Sequence, residues 1–568
     1  MASGQPLPSP LIVEIVPAAD TRFGDYQTNV AMTLAKDLKL NPRAFAQQIA
    51  DLIDSTGLSA KPTVAGPGFI NFVIENEALL TRLESLLSDA MLGVSKVAVP
   101  RTIVIDFSAP NVAKQMHVGH VRGTIIGDCL ARVARFLGHN VITDNHIGDW
   151  GTQFGMVLHG WKKHLQISAL ELDPIRELLR LYKIVNNESK AEEMAKDAGQ
   201  RADTPTREAC KAELVKLQAG DPENRAIWQK CVDYSLQGLT DIYAKLDVTF
   251  DHFMGESAYN ERLPSLVEEL KKSGLVRMSE GAACIFFESD PLLADKAPFI
   301  VQKSDGGYGY ATTDLATVEH RVKTWQAGEI WYVVGAPQAF HFAQLFSAAQ
   351  RWGMHSRMVH IAFGSILGAD GKMMKTRSGE SVGLLEVLEE AEERARLIVE
   401  EKNADLSDSE KAEIARAVGI GAVKYMELSQ HRLSDYKFIW EKMLSFQGNT
   451  APYLQNAYVR TRAIFRKLET AADLSGPFVI SEKDERSLAL ILSQFAETVP
   501  LVIADFRPNL LATYLFEVAR AFHSFFEACP VIRSEGSVRA TRLALCEITA
   551  RVLKTGLGLM GIRVTEKM

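Results

Sequence analysis

Cysteine is scarce in this chain, with 6 in 568 residues. None of Cys129, Cys210, Cys231, Cys284, Cys529 and Cys546 stands in a C-x-x-C spacing. That excludes a zinc ribbon, a dithiol redox pair and a disulfide scaffold, and leaves buried thiols of a reducing, cytoplasmic compartment. A strong charge of either sign is also lacking: 63 basic against 70 acidic residues leave −7. This argues against a uniformly basic nucleic-acid coat and leaves room for a local patch. Long uninterrupted apolar runs are missing. The richest, Leu488 to Ala504, is broken by Ser493, Gln494, Glu497 and Pro500, and residues 1–10 show no basic start before an apolar core. No membrane span or signal peptide is expected. Internal repeats and low-complexity segments are absent too, which removes solenoids and disordered tails.

What is present is ordinary globular sequence, 47% hydrophobic and 23% charged, long enough for about three to four domains. Residues 1–100 alternate strand-like runs (Leu11 to Val16, Phe69 to Ile74) with helical ones (Asn29 to Leu38, Ala44 to Ile53, Glu77 to Leu87), a small α+β domain. Thr102 to Phe107 is a short apolar strand. It is followed by Val121, Ile125, Cys129, Val133 and Phe136 at helical spacing, a closing Gly138 and a second strand from Asn140. Strand, helix and strand in about 45 residues make a βαβ unit, hence a parallel sheet. Residues near 160–260 are charged and helical, an insertion. The sheet pattern resumes at Ala283 to Phe287, Ile330 to Val334 and Met358 to Phe363. From Leu384 the strand signals fade into an all-α region. Its last 118 residues carry 15 basic and 12 acidic side chains, +3 against −10 elsewhere. The expected division is therefore 1–100, 101–385 and 386–568.

Two short elements carry chemistry. His117-Val118-Gly119-His120 stands where the loop after the first strand enters the helix, and a helix N-terminus presents free N–H groups to phosphate. Two imidazoles at i and i+3 share one face there, with Gly119 leaving space for a nucleotide. The plain alternative is a capping histidine with a surface neighbour. Zinc is not expected, since helical zinc pairs prefer i, i+4 and no third ligand is nearby. Lys372-Met373-Met374-Lys375-Thr376 follows a strand and lies among Gly364, Gly368, Gly371 and Gly379. This mobile cationic loop is suited to closing on a polyphosphate.

Together these elements resemble the His-Ile-Gly-His and Lys-Met-Ser-Lys-Ser signatures of class I aminoacyl-tRNA synthetases, with Met374 and Thr376 in place of the two serines. Asp106-Phe-Ser-Ala-Pro-Asn-Val-Ala-Lys-Gln-Met-His-Val-Gly-His120 and Asn145-His-Ile-Gly-Asp-Trp-Gly-Thr-Gln-Phe-Gly155 resemble the arginyl-tRNA synthetase subfamily. So do Phe23 to Met32 and Ala65 to Phe72 at one end, and Leu444 to Gln455 and Val552 to Ile562 at the other. The resemblance implies a multidomain α/β protein: a Rossmann-like parallel-sheet catalytic domain with a helical insertion, an N-terminal α+β domain that meets the tRNA D-loop, and a C-terminal helical bundle that binds the anticodon. It also implies ATP with Mg²⁺, L-arginine and tRNA(Arg) as partners, no membrane, a monomer, and arginine activation that requires bound tRNA.

The resemblance assigns ATP to His117, Gly119, His120 and Lys375, and catalysis to those histidines with Lys372 and Lys375. Lys114 is a further candidate for the leaving phosphate, and the choice between Lys114 and Lys375 stays open. Arginine falls to Asp106, Ser108, Asn111, His120, Tyr310, Asp314 and Gln338. Independently, a planar fork of N–H donors calls for carboxylates and neutral acceptors, and Tyr310 and Asp314 are one helical turn apart. For tRNA, Phe69 and Asn71 match positions that stack on and hydrogen-bond a D-loop base, while Tyr453, Tyr458, Arg460 and Arg462 form an aromatic and basic helical stretch in the +3 region. A cysteine-specific synthetase would need zinc-ligand cysteines, an Ile/Leu/Val enzyme a large editing insertion, and a small adenylyltransferase no long helical C-terminal region.

Overall fold

A computed structural model describes residues 13–568 apart from 19, 152, 199–202, 369, 373, 375–381, 403–404 and 469–471. Its centre is a parallel sheet built from β5 (Thr102–Phe107), β6 (Asn140–Asp144), β10 (Glu329–Val333) and β11 (Arg357–His360), in the order β11-β10-β5-β6. In β5, Ile103, Val104, Ile105 and Phe107 are fully buried, which is why the run reads as continuously apolar: a parallel strand is covered on both faces. Helix Val118–Phe136 crosses from β5 to β6. It ends at Gly138, whose φ of 89° and N–H donated to the Arg135 carbonyl at 3.0 Å make it the left-handed terminator that the sequence pointed to.

One expected strand changes place. Ala283 to Phe287 does form a strand, β8 (Ala282–Ile285), but not in the parallel sheet. With β7 (Val276–Ser279) and β9 (Phe299–Gln302) it makes a separate antiparallel sheet. Short connections account for this, because only two residues separate β7 from β8, and a turn that tight joins antiparallel neighbours. The insertion lies between β6 and this sheet as helices Gln153–His164, Ile167–Leu172, Pro174–Asp197, Pro205–Gln218 and Pro222–Leu246. Asp173 and Asp221 cap two of them, each accepting a backbone N–H at 3.0 Å just ahead of a first-turn proline.

The N-terminal sheet comprises β1 (Val16–Pro17), β2 (Tyr26–Thr28), β3 (Thr63–Ala65) and β4 (Phe69–Phe72), all antiparallel. Ile70 packs its small core against helices Val30–Leu38 and Pro42–Leu52. Leu83 and Leu86 of the next helix, Asn76–Ser88, join the large central core instead, and Arg551 of the last helix donates to the Leu86 and Leu87 carbonyls. Arg486 grips Asp25 through two bonds of 3.0 and 2.7 Å.

From Leu384 the chain is helical apart from the short β13 (Tyr436–Lys437), which pairs in parallel with β12 (Ile366–Leu367). Lys483–Ala504 is long and apolar enough to cross a membrane by composition. Here it is two helices meeting at Gln494, with Leu488, Leu492, Phe495, Val499 and Val502 fully buried. All six cysteines are buried and unpaired.

Candidate active site

His117 is the N-cap of helix Val118–Phe136: its Nδ1 accepts from the Gly119 N–H, and the Nδ1 of His120 accepts from the His117 N–H, both at 3.1 Å. The rings lie 3.9 Å apart. Capping and site chemistry thus coincide. Burial lowers the His117 pKa, and burial followed by the neighbouring imidazole lowers that of His120 to about 4. Both rings are neutral near pH 7. Because each Nδ1 is an acceptor, each proton sits on Nε2, giving two hydrogen-bond donors of defined tautomer. Gly119 has a second use beyond ligand space: a Cβ there would lie 2.9 Å from the His117 ring, so only glycine lets the cap close.

An open cleft of about 620 Å³ is lined by His117, Gly119, Arg122, Gly335, Phe363 and Met374, among others. Met374 is the residue of the lysine segment that reaches it among those described. The Val118 N–H donates to the Val382 carbonyl at 2.9 Å and the Leu384 N–H to Met116 at 2.8 Å, so the chain leaving the loop is fastened to the first signature. Lys372 is exposed in a turn closed by the Gly368 N–H on its carbonyl, 2.7 Å. Lys375 lies outside the described residues. Lys114 does not line the cleft; its ammonium sits 4.8 Å over the Tyr182 ring of the insertion.

At the carboxyl end of β5, Ser108 and Ala109 take φ of 75° and 43°, a conformation that costs a non-glycine residue energy and that clusters at functional sites. Ser108 Oγ is 2.8 Å from both Tyr243 OH and Thr124 Oγ1, and Asn145 bonds the same tyrosine at 2.8 Å and the Ala109 N–H at 3.1 Å. Asn111 is exposed, next to Gly148, where a Cβ would lie 2.4 Å from its Oδ1. Tyr310 does begin a helix, Tyr310–Lys323, and is exposed. One turn on, Asp314 Oδ2 is 2.6 Å from His341 Nε2, three residues beyond the exposed Gln338.

Asp106 keeps different company from that expected. It is 5% exposed, and its Oδ2 accepts at 2.7 Å from Arg321, which bonds Asp144 at the same distance. A carboxylate buried at a strand end needs an internal counter-charge, and removing Arg321 would leave two of them uncompensated.

A second acidic group near Asp314 was not legible in the sequence. Glu256 opens the 3-10 turn Glu256–Arg262; burial, with Asp314 and Asp149 adding repulsion against the opposing pull of His146, raises its pKa to about 7. Gly255 before it admits the Asp149 carboxylate to within 2.4 Å of where a Cβ would stand, and Asp149 accepts from the Ser257 N–H and hydroxyl at 2.8 and 2.6 Å. The available clue was Gly255-Glu256-Ser257 at the end of the charged 160–260 stretch, a pattern with no spacing relation to Tyr310 or Asp314.

On the candidate tRNA side, Phe69 and Asn71 alternate with Ile70 and so share the face of β4 away from its core. Phe69 is half-buried, whereas Asn71 is only 2% exposed and donates weakly to the Phe69 carbonyl at 3.5 Å. Tyr453 bonds His523 at 2.8 Å, and exposed Arg460 lies over the Phe526 ring. Tyr458 and Arg462 face inward, bonded to Glu566 and Glu547. Among the described residues no cluster of His, Cys, Asp or Glu is arranged to hold a metal.

Residues 82–440 match the family described as tRNA synthetases class I (R), catalytic domain; residues 454–568 match the DALR anticodon binding domain and residues 3–74 the arginyl tRNA synthetase N terminal domain. The domain that carries the cap and the cleft is therefore a class I tRNA synthetase catalytic domain. Arginine–tRNA ligases of Chromobacterium violaceum and Laribacter hongkongensis are each 45% identical, over 100% of this chain and 97% of theirs. The arginyl-tRNA synthetase structures of Plasmodium falciparum (28% identity, TM-score 0.82, 98% of this chain and 95% of that one) and Thermus thermophilus (26%, 0.82, 98% and 97%) share the fold. The chain belongs to the arginine–tRNA ligase family.

Proposed function

We infer that this chain is an arginine–tRNA ligase that joins L-arginine to the terminal adenosine of tRNA(Arg), consuming ATP. The observation that carries the reading is the fastening of the lysine loop to the histidine cap at Val118 and Val382, in front of one cleft. In the first step the arginine carboxylate attacks the α-phosphorus of ATP and pyrophosphate departs. In the second, the 2′-hydroxyl of the tRNA adenosine attacks the carbonyl of the adenylate and AMP leaves. No covalent enzyme intermediate is needed, so the protein contributes position and charge.

Neutral His117 and His120 donate from Nε2 to the nucleotide phosphates, with Gly119 beneath them. Lys375 and Lys372 take the charge that builds on the departing pyrophosphate, and Lys114 serves that role if Lys375 does not. ATP arrives as its Mg²⁺ complex, the metal belonging to the substrate. Asp314 and Glu256 face the guanidinium with Tyr310 at the mouth, while Ser108, Asn111 and Gln338 supply neutral contacts. Asp106 acts through its pairing with Arg321. Phe69, with Asn71 beside it on the same face of β4, offers a stacking surface to a D-loop base, and Tyr453 and Arg460 offer one to the anticodon. We assign these roles to units 1–100, 101–385 and 386–568 of a cytoplasmic monomer.

The deciding experiment is ATP–pyrophosphate exchange with each amino acid, with and without tRNA, followed by charging of tRNA(Arg). Exchange driven by arginine alone among the amino acids supports the reading; exchange driven by another amino acid overturns it.

A further inference from the structure

In the wall of the nucleotide cleft stands a buried guanidinium that no step above uses. Arg122, on the signature helix, has a side chain only 1% exposed, and its Nε is 2.6 Å from Oε1 of the fully buried Glu427 on helix Asp408–Leu428. Its Nη1 donates to the Ser365 carbonyl at 3.3 Å, and the guanidinium sits 5.2 Å over the Tyr436 ring, whose hydroxyl interacts with Glu427. The same Ser365 carbonyl accepts from the Tyr436 N–H at 3.3 Å, and the Ser365 N–H donates to Asp435 at 2.6 Å.

Ser365 immediately precedes β12, which pairs with β13 and feeds the lysine loop. One ion pair therefore ties together the helix that carries the histidines, the strand that delivers the lysines, and the helical region. Stability alone does not call for such a pair, because a buried ion pair is often replaceable by apolar side chains of similar volume without loss. What apolar packing does not reproduce is a charged donor aimed at a backbone carbonyl, here Nη1 of Arg122 on that of Ser365.

We propose that Arg122, held by Glu427, is a positioning residue for arginine activation, setting the root of the lysine loop against the histidine end of the signature helix. This rests on the ligase reading above, and arginine charging by the unaltered chain tests that reading separately. The variants are Arg122→Lys, Glu427→Gln and the double apolar variant R122M/E427L, each examined for Tm, exchange kcat and arginine KM.

The double variant is expected to recover Tm to that of the unaltered chain while exchange kcat stays down by about tenfold or more, the scale of effect that small misplacements of reacting groups produce. Arginine KM should remain within about twofold, since Asp314 and Glu256 are untouched. Arg122→Lys should fold and show the same loss confined to kcat, measured well below its Tm. A double variant that regains kcat along with Tm overturns the proposal, as does Arg122→Lys with unaltered kcat. So does a variant whose arginine KM rises as much as its kcat falls, which marks general loosening.

Discussion

The proposed phosphate and guanidinium sites solve opposite electrostatic problems in different ways. At the phosphate end, donors come from neutral rings: His117 and His120 lie within four residues, cap one helix and are kept uncharged by burial. At the guanidinium end, carboxylates come from distant segments, with Glu256 after the insertion and Asp314 on another helix. Two further buried carboxylates, Asp106 and Asp144, share the single guanidinium of Arg321. Local geometry thus suffices for binding an anion at a helix terminus, whereas a selective cation pocket has to be assembled and its surplus charge neutralised.

The largest expected effect tests the phosphate end. Lys375→Ala should lower the adenylation rate by about 10²-fold or more with arginine affinity little changed, because the lysine acts on charge that develops late. A near-normal rate moves the role to Lys114, and Lys114→Ala then carries the loss.

At the other end, Asp314→Asn keeps the shape and removes the charge opposite the guanidinium. Arginine KM should rise by roughly 30-fold, equivalent to about 2 kcal/mol, with kcat for exchange less affected. An unchanged KM would leave Asp314 as a partner of His341 only.

A control outside the cleft comes next. Phe69→Ala should raise KM for tRNA by about tenfold while ATP and arginine constants stay put, as expected for loss of one stacked base. Equal losses with tRNAs altered in the D-loop, accompanied by a lowered Tm, would assign Phe69 to packing of β4.

A subtler difference is the pH response. Glu256, raised by burial to about 7, must be ionised to meet a guanidinium, so arginine kcat/KM should climb with pH through 7, by up to about tenfold between pH 6 and 8. Glu256→Gln should flatten that rise, and persistence of the slope would remove Glu256 from the pocket.

The histidine end responds in the acid range and in stability. Its folded-state pKa of about 4 for His120 lies below the ordinary 6.5, so the unfolded chain binds more protons between those values. Stability contributed by this ring is complete above about 6.5 and is lost as pH falls toward 4. His120→Gln should therefore weaken the pH dependence of Tm in that window; an identical slope would mean that the ring titrates freely.

Much of the frame was legible because it depends on neighbours in the chain. The βαβ unit showed in an apolar strand, a 3.6-residue repeat and Gly138, and all three hold in the structure. The assignment of Ala283 to Phe287 failed because a buried strand announces its burial and not its partner: a short apolar run fits a parallel sheet and a three-stranded meander equally. Asn71 shows the same limit, since its type suits base recognition while the folded chain leaves it only 2% exposed.

The sequence by itself determined the helix start at His117, the i, i+3 spacing that puts His117 and His120 on one face, and the one-turn spacing of Tyr310 and Asp314. Each is a contact across one turn, which the period of the α-helix dictates. Only the tertiary structure decided that Asp106 answers to Arg321, that Glu256 stands near Asp314, and that Arg122 meets Glu427 beside the Ser365 carbonyl. Those partners are far apart along the chain: Asp106 and Arg122 meet counter-charges because a buried charge needs one wherever packing brings it, whereas Glu256 and Asp314 are held together by packing against their mutual repulsion.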